Sequence, residues 1–91
     1  MLPVAWRKEA SQELDEIIDY IAQFDERAAD RLEAAALECA ERLPEFPYLY
    51  RMGRVAGTRE AVIHPNYIIV YRVGTTQIDI LSVVHSRRNY P

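Results

Sequence analysis

The sequence predicts an α+β fold, a helical hairpin laid on a small antiparallel sheet, in a single domain spanning residues 1–91. Three observations lead there. Helical periodicity is confined to the first half; runs of β-branched and aromatic residues separated by turn signals fill the second; and the charge divides at the same point. Residues 1–50 carry five Lys/Arg against twelve Asp/Glu, whereas 51–91 carry six arginines against Glu60 and Asp79 alone. The formal −3 of the whole chain conceals an acidic helical half and a basic strand half.

Leu2 to Trp6, with Pro3 near its start, is too short for a helix and reads as an opening edge strand. Ala10, Leu14, Ile17, Ile18, Ile21 and Phe24 then recur at three- and four-residue steps, giving an amphipathic helix of about eighteen residues. Asp25 breaks the run and can cap the next helix, Arg27 to Leu43. That helix has the stripe Ala28, Leu32, Ala35, Ala36, Cys39, Ala40 and Leu43, small enough for close approach to another layer, and Pro44 ends it. With almost no loop between them the helices should be antiparallel.

Pro44 to Gly57 reads as an irregular connection, followed by strands Thr58 to His64, Tyr67 to Val73 and Gln77 to Val84. Pro65-Asn66 and Gly74-Thr75-Thr76 supply the turns. Connections this short make the three strands antiparallel neighbours, with the opening strand at an edge.

The candidate site residues are the cations of the second half: Arg51, Arg54, Arg59, Arg72, Arg87 and Arg88, with His85 and Tyr90. A two-residue turn at Pro65-Asn66 sets Arg59 opposite Arg72 and Glu60 opposite Tyr71. Two arginines facing across a ladder repel, so they splay into solvent, take an acid between them, or meet an anionic partner. A one-residue slip would move Arg59 to the other face. His85 leaves the apolar strand Ile78 to Val84 and reads either as an acid or base or as a hydrogen-bonded strand end. Glu60, a lone acid in a strand, reads as an ion-pair partner or a general base. Cys39 reads as a small buried residue or a reactive thiol. No glycine-rich phosphate loop, nucleophile elbow or metal-ligand spacing is present, so neither cofactor nor metal is expected. Without a signal-like or membrane-length apolar run, the expectation is a soluble cytoplasmic protein with no membrane partner.

The run Gly57-Thr58-Arg59-Glu60-Ala61-Val62-Ile63-His64-Pro65-Asn66-Tyr67 to Val73, continued by Ile78 to Arg88, resembles the RelE/ParE superfamily of type II toxin-antitoxin toxins. The Thr-Arg-Glu entry, the Tyr-x-x-x-Tyr-Arg-Val strand and the His-x-Arg-Arg ending carry the likeness, which extends over the whole chain in length and element order. The resemblance implies a growth-arresting toxin neutralised by a cognate antitoxin in a hetero-oligomer. Two activities occur in the superfamily: RelE-like members cleave mRNA in the ribosomal A site, and ParE-like members block DNA gyrase.

RelE-like and YoeB-like sequences carry an arginine in the strand where this chain has Ile68, and an alkyl group cannot neutralise a phosphorane-like charge. A YoeB-like His-Tyr ending is not matched in register. The sequence pI near 5.3 also fits poorly with docking among ribosomal phosphates. The leading expectation is therefore a noncatalytic, ParE-like inhibitor of DNA gyrase. The alternative is a metal-independent, ribosome-dependent endoribonuclease using Arg59, Arg72, His85, Arg87 and Tyr90. A third reading is a degenerate, nontoxic binding module.

Overall fold

A computed structural model describes residues 1–88 and 90. The chain opens with strand β1, Val4–Trp6, and passes into helix α1, Lys8–Ala22, without a side-chain cap. The Arg7 N–H instead donates to the Ile80 carbonyl at 2.9 Å, so strand pairing is carried to the first turn of the helix. Ala10 and Leu14 lie one turn apart and are buried, with Ile17 and Ile18 packed beside them. Phe24, assigned to the same stripe from its spacing, lies past the helix end at 74% exposure, its ring edge-on to Tyr20 at 5.3 Å.

Asp25 caps α2, Glu26–Arg42, by accepting the Ala28 N–H at 3.1 Å. The buried stripe of α2 is Ala29, Leu32, Ala36, Cys39 and Ala40, rotated by one residue at its start from the expected Ala28. Leu43 is fully buried at its C-cap.

Four further strands follow: β2, Arg51–Met52; β3, Arg59–His64; β4, Tyr67–Val73; and β5, Ile78–His85. They form one sheet in the order β1-β5-β4-β3-β2. The expected antiparallel meander is β3-β4-β5. The sheet as a whole is mixed, because β1 sits at an edge parallel to β5, in the register Val4 with Ile78 and Trp6 with Ile80. Nearly the whole chain separates these two strands, so the long crossover that a parallel pair requires is available. The two-residue β2 was not anticipated; it lies inside the connection read as irregular.

Two bulges decide which side chains face where. The turn at 65–66 closes with His64 opposite Tyr67, as expected, but the register shifts between Val62 and His64. Arg59 therefore faces Tyr71 and Glu60 faces Val70. The expected Arg59–Arg72 pair does not form: an extra residue in one strand of a pair displaces every partner beyond it. A second shift lies between Val70 and Tyr71, where β5 accommodates Leu81. Ile78 and Ile80 before it and Val83 after it thereby all join the helix-side core.

That inner core also holds Ala61, Ile69, Tyr71 and the buried residues of both helices. The outer face carries a smaller apolar cluster of Ile68, Val70 and Val84, with Tyr90 packed against it. The site is built on this second face.

Candidate functional site

Glu60 projects from β3 to the outer face and is 3% exposed. A carboxylate in that position requires compensating donors. Arg51 donates from Nε to Oε1 at 3.0 Å and holds its Nη2 in ion-pair contact with the same oxygen at 2.9 Å. Arg54 supplies its backbone N–H to Oε2 at 3.3 Å and brings its Nε within 3.6 Å of the same oxygen. Both carboxylate oxygens are thus engaged, the geometry of an ion-pair anchor and not of a free general base. The chain can deliver both arginines because the segment between β2 and β3 folds tightly. Gly53 N–H donates to Thr58 O at 2.7 Å, Thr58 Oγ1 donates to Val55 O at 2.6 Å, and a Cβ on Gly53 would collide with the Thr58 hydroxyl.

From this anchor Arg54 extends to the C-terminal segment. Its Nη1 donates to Arg88 O at 2.6 Å, its Nη2 to Ser86 O at 3.1 Å, and its guanidinium lies 4.5 Å from the centre of the Tyr90 ring. Tyr90 then covers Ile68, Val70 and Val84, and its buried hydroxyl has no hydrogen-bond partner among the described residues. Asn89 lies outside the described residues.

Beside Tyr90 a cavity of about 270 Å³ opens on Val70 and Val84, with Arg72, Arg88, Ser82 and Glu13 around it. Arg72 faces Asp79 across the ladder, but the Asp79 carboxylate accepts from Gln77 Nε2 at 2.6 Å. Among the described residues Arg72 has no ion pair within 4 Å.

The remaining candidates lie elsewhere. Arg59 shares the inner side with Tyr71, donates to Tyr50 O at 2.9 Å and Tyr48 O at 3.4 Å, and stacks over the Tyr48 ring at 4.9 Å. Tyr71 reaches the same segment through its hydroxyl, which donates to Pro47 O at 2.7 Å. Burial pushes the Tyr71 hydroxyl up to about 12, while the nearby Arg59 guanidinium works in the opposite direction. These two side chains fasten the 47–50 segment to the core.

His85 pairs opposite Tyr67, whose ring it meets edge-on at 5.4 Å, and its Nδ1 accepts the Arg87 N–H at 3.2 Å. It lines a second cavity, of about 210 Å³, on the side of α1, near Glu16 and Ile17. Arg87 is exposed. Cys39 is buried, which raises its thiol pKa and suppresses the thiolate.

The fold thus brings Arg51, Arg54, Arg72, Arg88 and Tyr90 to one outer face, while Arg59 and His85 lie on the helix side. Sequence reasoning missed Glu13 and Ser82, which join this region through a 2.8 Å hydrogen bond from Ser82 Oγ to Glu13 Oε1. Glu13 lies on the polar side of its helix, and only the tertiary fold gives it a strand to bind. Among the described residues no group of three or more His, Cys, Asp or Glu gathers as a metal site, and no helix is long and apolar enough to cross a membrane.

Comparison with known proteins agrees with this architecture. Y4kP of Sinorhizobium fredii is 37% identical over 89 residues, covering 97% of this chain and 92% of that protein. Toxin RelE2 of Caulobacter vibrioides is 35% identical over 88 residues, covering 97% and 99%. Among solved structures, the chromosomal ParDE toxin-antitoxin system of P. aeruginosa superposes with a TM-score of 0.80 at 20% identity, covering 93% of this chain and 96% of that one. The RelBE2 toxin-antitoxin complex of Mycobacterium tuberculosis gives 0.63 at 24%, covering 92% and 96%. At these identities the structures establish a shared fold. The family model described as the ParE toxin of the type II toxin-antitoxin system parDE matches residues 4–90, and the chain belongs to that toxin family.

Proposed function

We propose that the chain arrests growth as a noncatalytic inhibitor of DNA gyrase and is silenced by a cognate antitoxin whose acidic segment covers the outer basic face. One observation carries the noncatalytic reading: the side chains that an endoribonuclease would need together are divided between the two faces of the sheet. Arg59 is committed to the Tyr48 and Tyr50 carbonyls on the inner side, and His85 lies against Tyr67 on that side. Arg72 and Tyr90 belong to the outer cavity. Phosphate stabilisation and proton transfer require their groups within hydrogen-bond reach of one reacting centre. At the middle of the outer face, Ile68 lies buried in the cluster that Tyr90 packs against, where it offers no charge to a transition state.

Recognition by Arg51, Arg54, Arg72, Arg88 and Tyr90 needs no such convergence, because guanidinium groups around an apolar floor suit a protein surface bearing carboxylates. The same chemistry suits an acidic antitoxin segment, so inhibitor and target would compete for one face. The test is a supercoiling assay with purified gyrase. Inhibition by excess protein, relieved by the antitoxin encoded beside it, is expected. Unimpaired supercoiling together with A-site cleavage in a toeprinting assay would establish the ribosome-dependent alternative.

A further inference from the structure

The cavity on the outer face joins an apolar lining to polar groups that lack partners. Val55, Val70, Leu81 and Val84 form the lining, and Val70 and Val84 belong to the buried outer cluster. Arg72 and Arg88 border it, both exposed, and among the described residues neither side chain has an ion pair. Tyr90 borders it as well, and its hydroxyl is buried without a hydrogen-bond partner among the described residues. A buried hydroxyl left unpaired is a cost to the fold that a bound acceptor would remove.

An occupant that satisfies these groups needs an acceptor for Tyr90, a negative charge for the two guanidinium groups and an apolar body for the floor. At about 270 Å³ the cavity holds roughly nine water-sized groups of ~30 Å³ each, which restricts it to a small ligand. Glu13 stands at its border, with Oε1 held by Ser82 Oγ at 2.8 Å and Val83 N at 3.3 Å. A carboxylate fixed there disfavours a doubly charged ligand such as a phosphate monoester.

We propose that this cavity binds a small free amphipathic monocarboxylate, its carboxylate held by Arg72, Arg88 and the Tyr90 hydroxyl and its hydrocarbon tail laid on Val70 and Val84. A tail of several methylenes is required to cover that floor, and burying each one adds to affinity. The side chain of a partner's glutamate carries the same charge on a stem too short to do so. Occupancy neutralises Arg72 and Arg88, so a small acid would compete with any acidic surface for the outer face. The site goes beyond the proposed function and does not depend on which target the toxin takes.

The experiment titrates the isotopically labelled full chain with sodium hexanoate at neutral pH and constant ionic strength, with propionate and hexanol as controls. Hexanoate should shift the amides of Val70, Arg72, Ser82 and Val84 saturably, with a Kd on the order of 1 mM. Propionate, which matches a glutamate side chain, and hexanol, which keeps the tail without the charge, should each bind at least about tenfold more weakly. Arg72→Gln should weaken hexanoate binding about tenfold. Arg31→Gln, an equal loss of charge at an exposed position on α2, should change it less than about twofold. Tyr90→Phe should weaken it about fivefold while leaving Tm unchanged or raised, because the free protein loses only an unpaired hydroxyl. The site would be overturned by the absence of a saturable shift, by propionate or hexanol binding as well as hexanoate, by equal effects of the two arginine substitutions, or by a Tm lowered in Tyr90→Phe. None of these readouts involves gyrase, so a failed titration and a failed supercoiling assay are separate results.

Discussion

Replacing Glu60 by alanine should loosen the outer face more than any single change at its arginines. The wild-type carboxylate is 3% exposed and receives two hydrogen bonds, one from Arg51 Nε and one from the Arg54 backbone, with Arg51 Nη2 in ion-pair contact at 2.9 Å. Hydrogen bonds to charged groups contribute about 1.5–3 kcal/mol each before desolvation is counted. Two effects offset them. Taking the carboxylate out of water costs several kcal/mol. The side chains of Arg51 and Arg54, 57% and 39% exposed, can also rehydrate once released. The net loss should be about 2 kcal/mol, equivalent to a fall in Tm of roughly 10 °C for a domain this size. Glu60→Gln keeps the shape and one acceptor and should lose about half as much. Urea unfolding followed by circular dichroism measures both variants. A loss below about 0.5 kcal/mol for Glu60→Ala would refute the anchoring role.

Ala36 is fully buried on the stripe of α2 that faces the sheet, so Ala36→Leu should overpack that contact and cost about 1–3 kcal/mol in the same assay. Tyr71→Phe removes the hydrogen bond to Pro47 O and should cost about 1 kcal/mol, with faster amide exchange in the 47–50 segment as its second readout. Tyr71 also sets an alkaline limit: its folded pKa of about 12 exceeds the ordinary value near 10, so its contribution is intact below pH 10 and is lost as pH rises toward 12. Tyr50 and Cys39 are shifted in the same direction by burial, and Tyr71→Phe should flatten most of the loss when stability is followed across that window. Asp25→Ala removes the cap of α2 and should cost about 1 kcal/mol by thermal unfolding.

The fold was legible wherever periodicity and turn chemistry act locally. Asp25 as a cap, Pro44 as a stop and the 65–66 turn follow from the chemistry of one or two residues. What escaped depends on packing over longer range. The bulge near Ile63 has no distinct residue signature, yet it moves Arg59 from the face of Arg72 to that of Tyr71. Leu81 belongs to an unbroken apolar run, so nothing local marks it as the residue that β5 bulges out. β1 could be placed at an edge, but its direction is set by how the helical hairpin crosses the sheet. For the site, the charge division correctly drew attention to the second half, but charge carries no information about faces. Arg54 and Arg59 look alike in sequence; one clasps the C-terminal segment and the other fastens a loop on the opposite side.

Growth arrest by the chain expressed alone, compared between variants of the two faces, tests the central claim most directly. The double variant Arg72→Glu and Arg88→Glu should abolish arrest while leaving Tm within a few degrees, and His85→Ala should arrest growth as wild type does. Arrest that survives the double reversal and disappears with His85→Ala would contradict the account and move the functional centre to the helix side of the sheet.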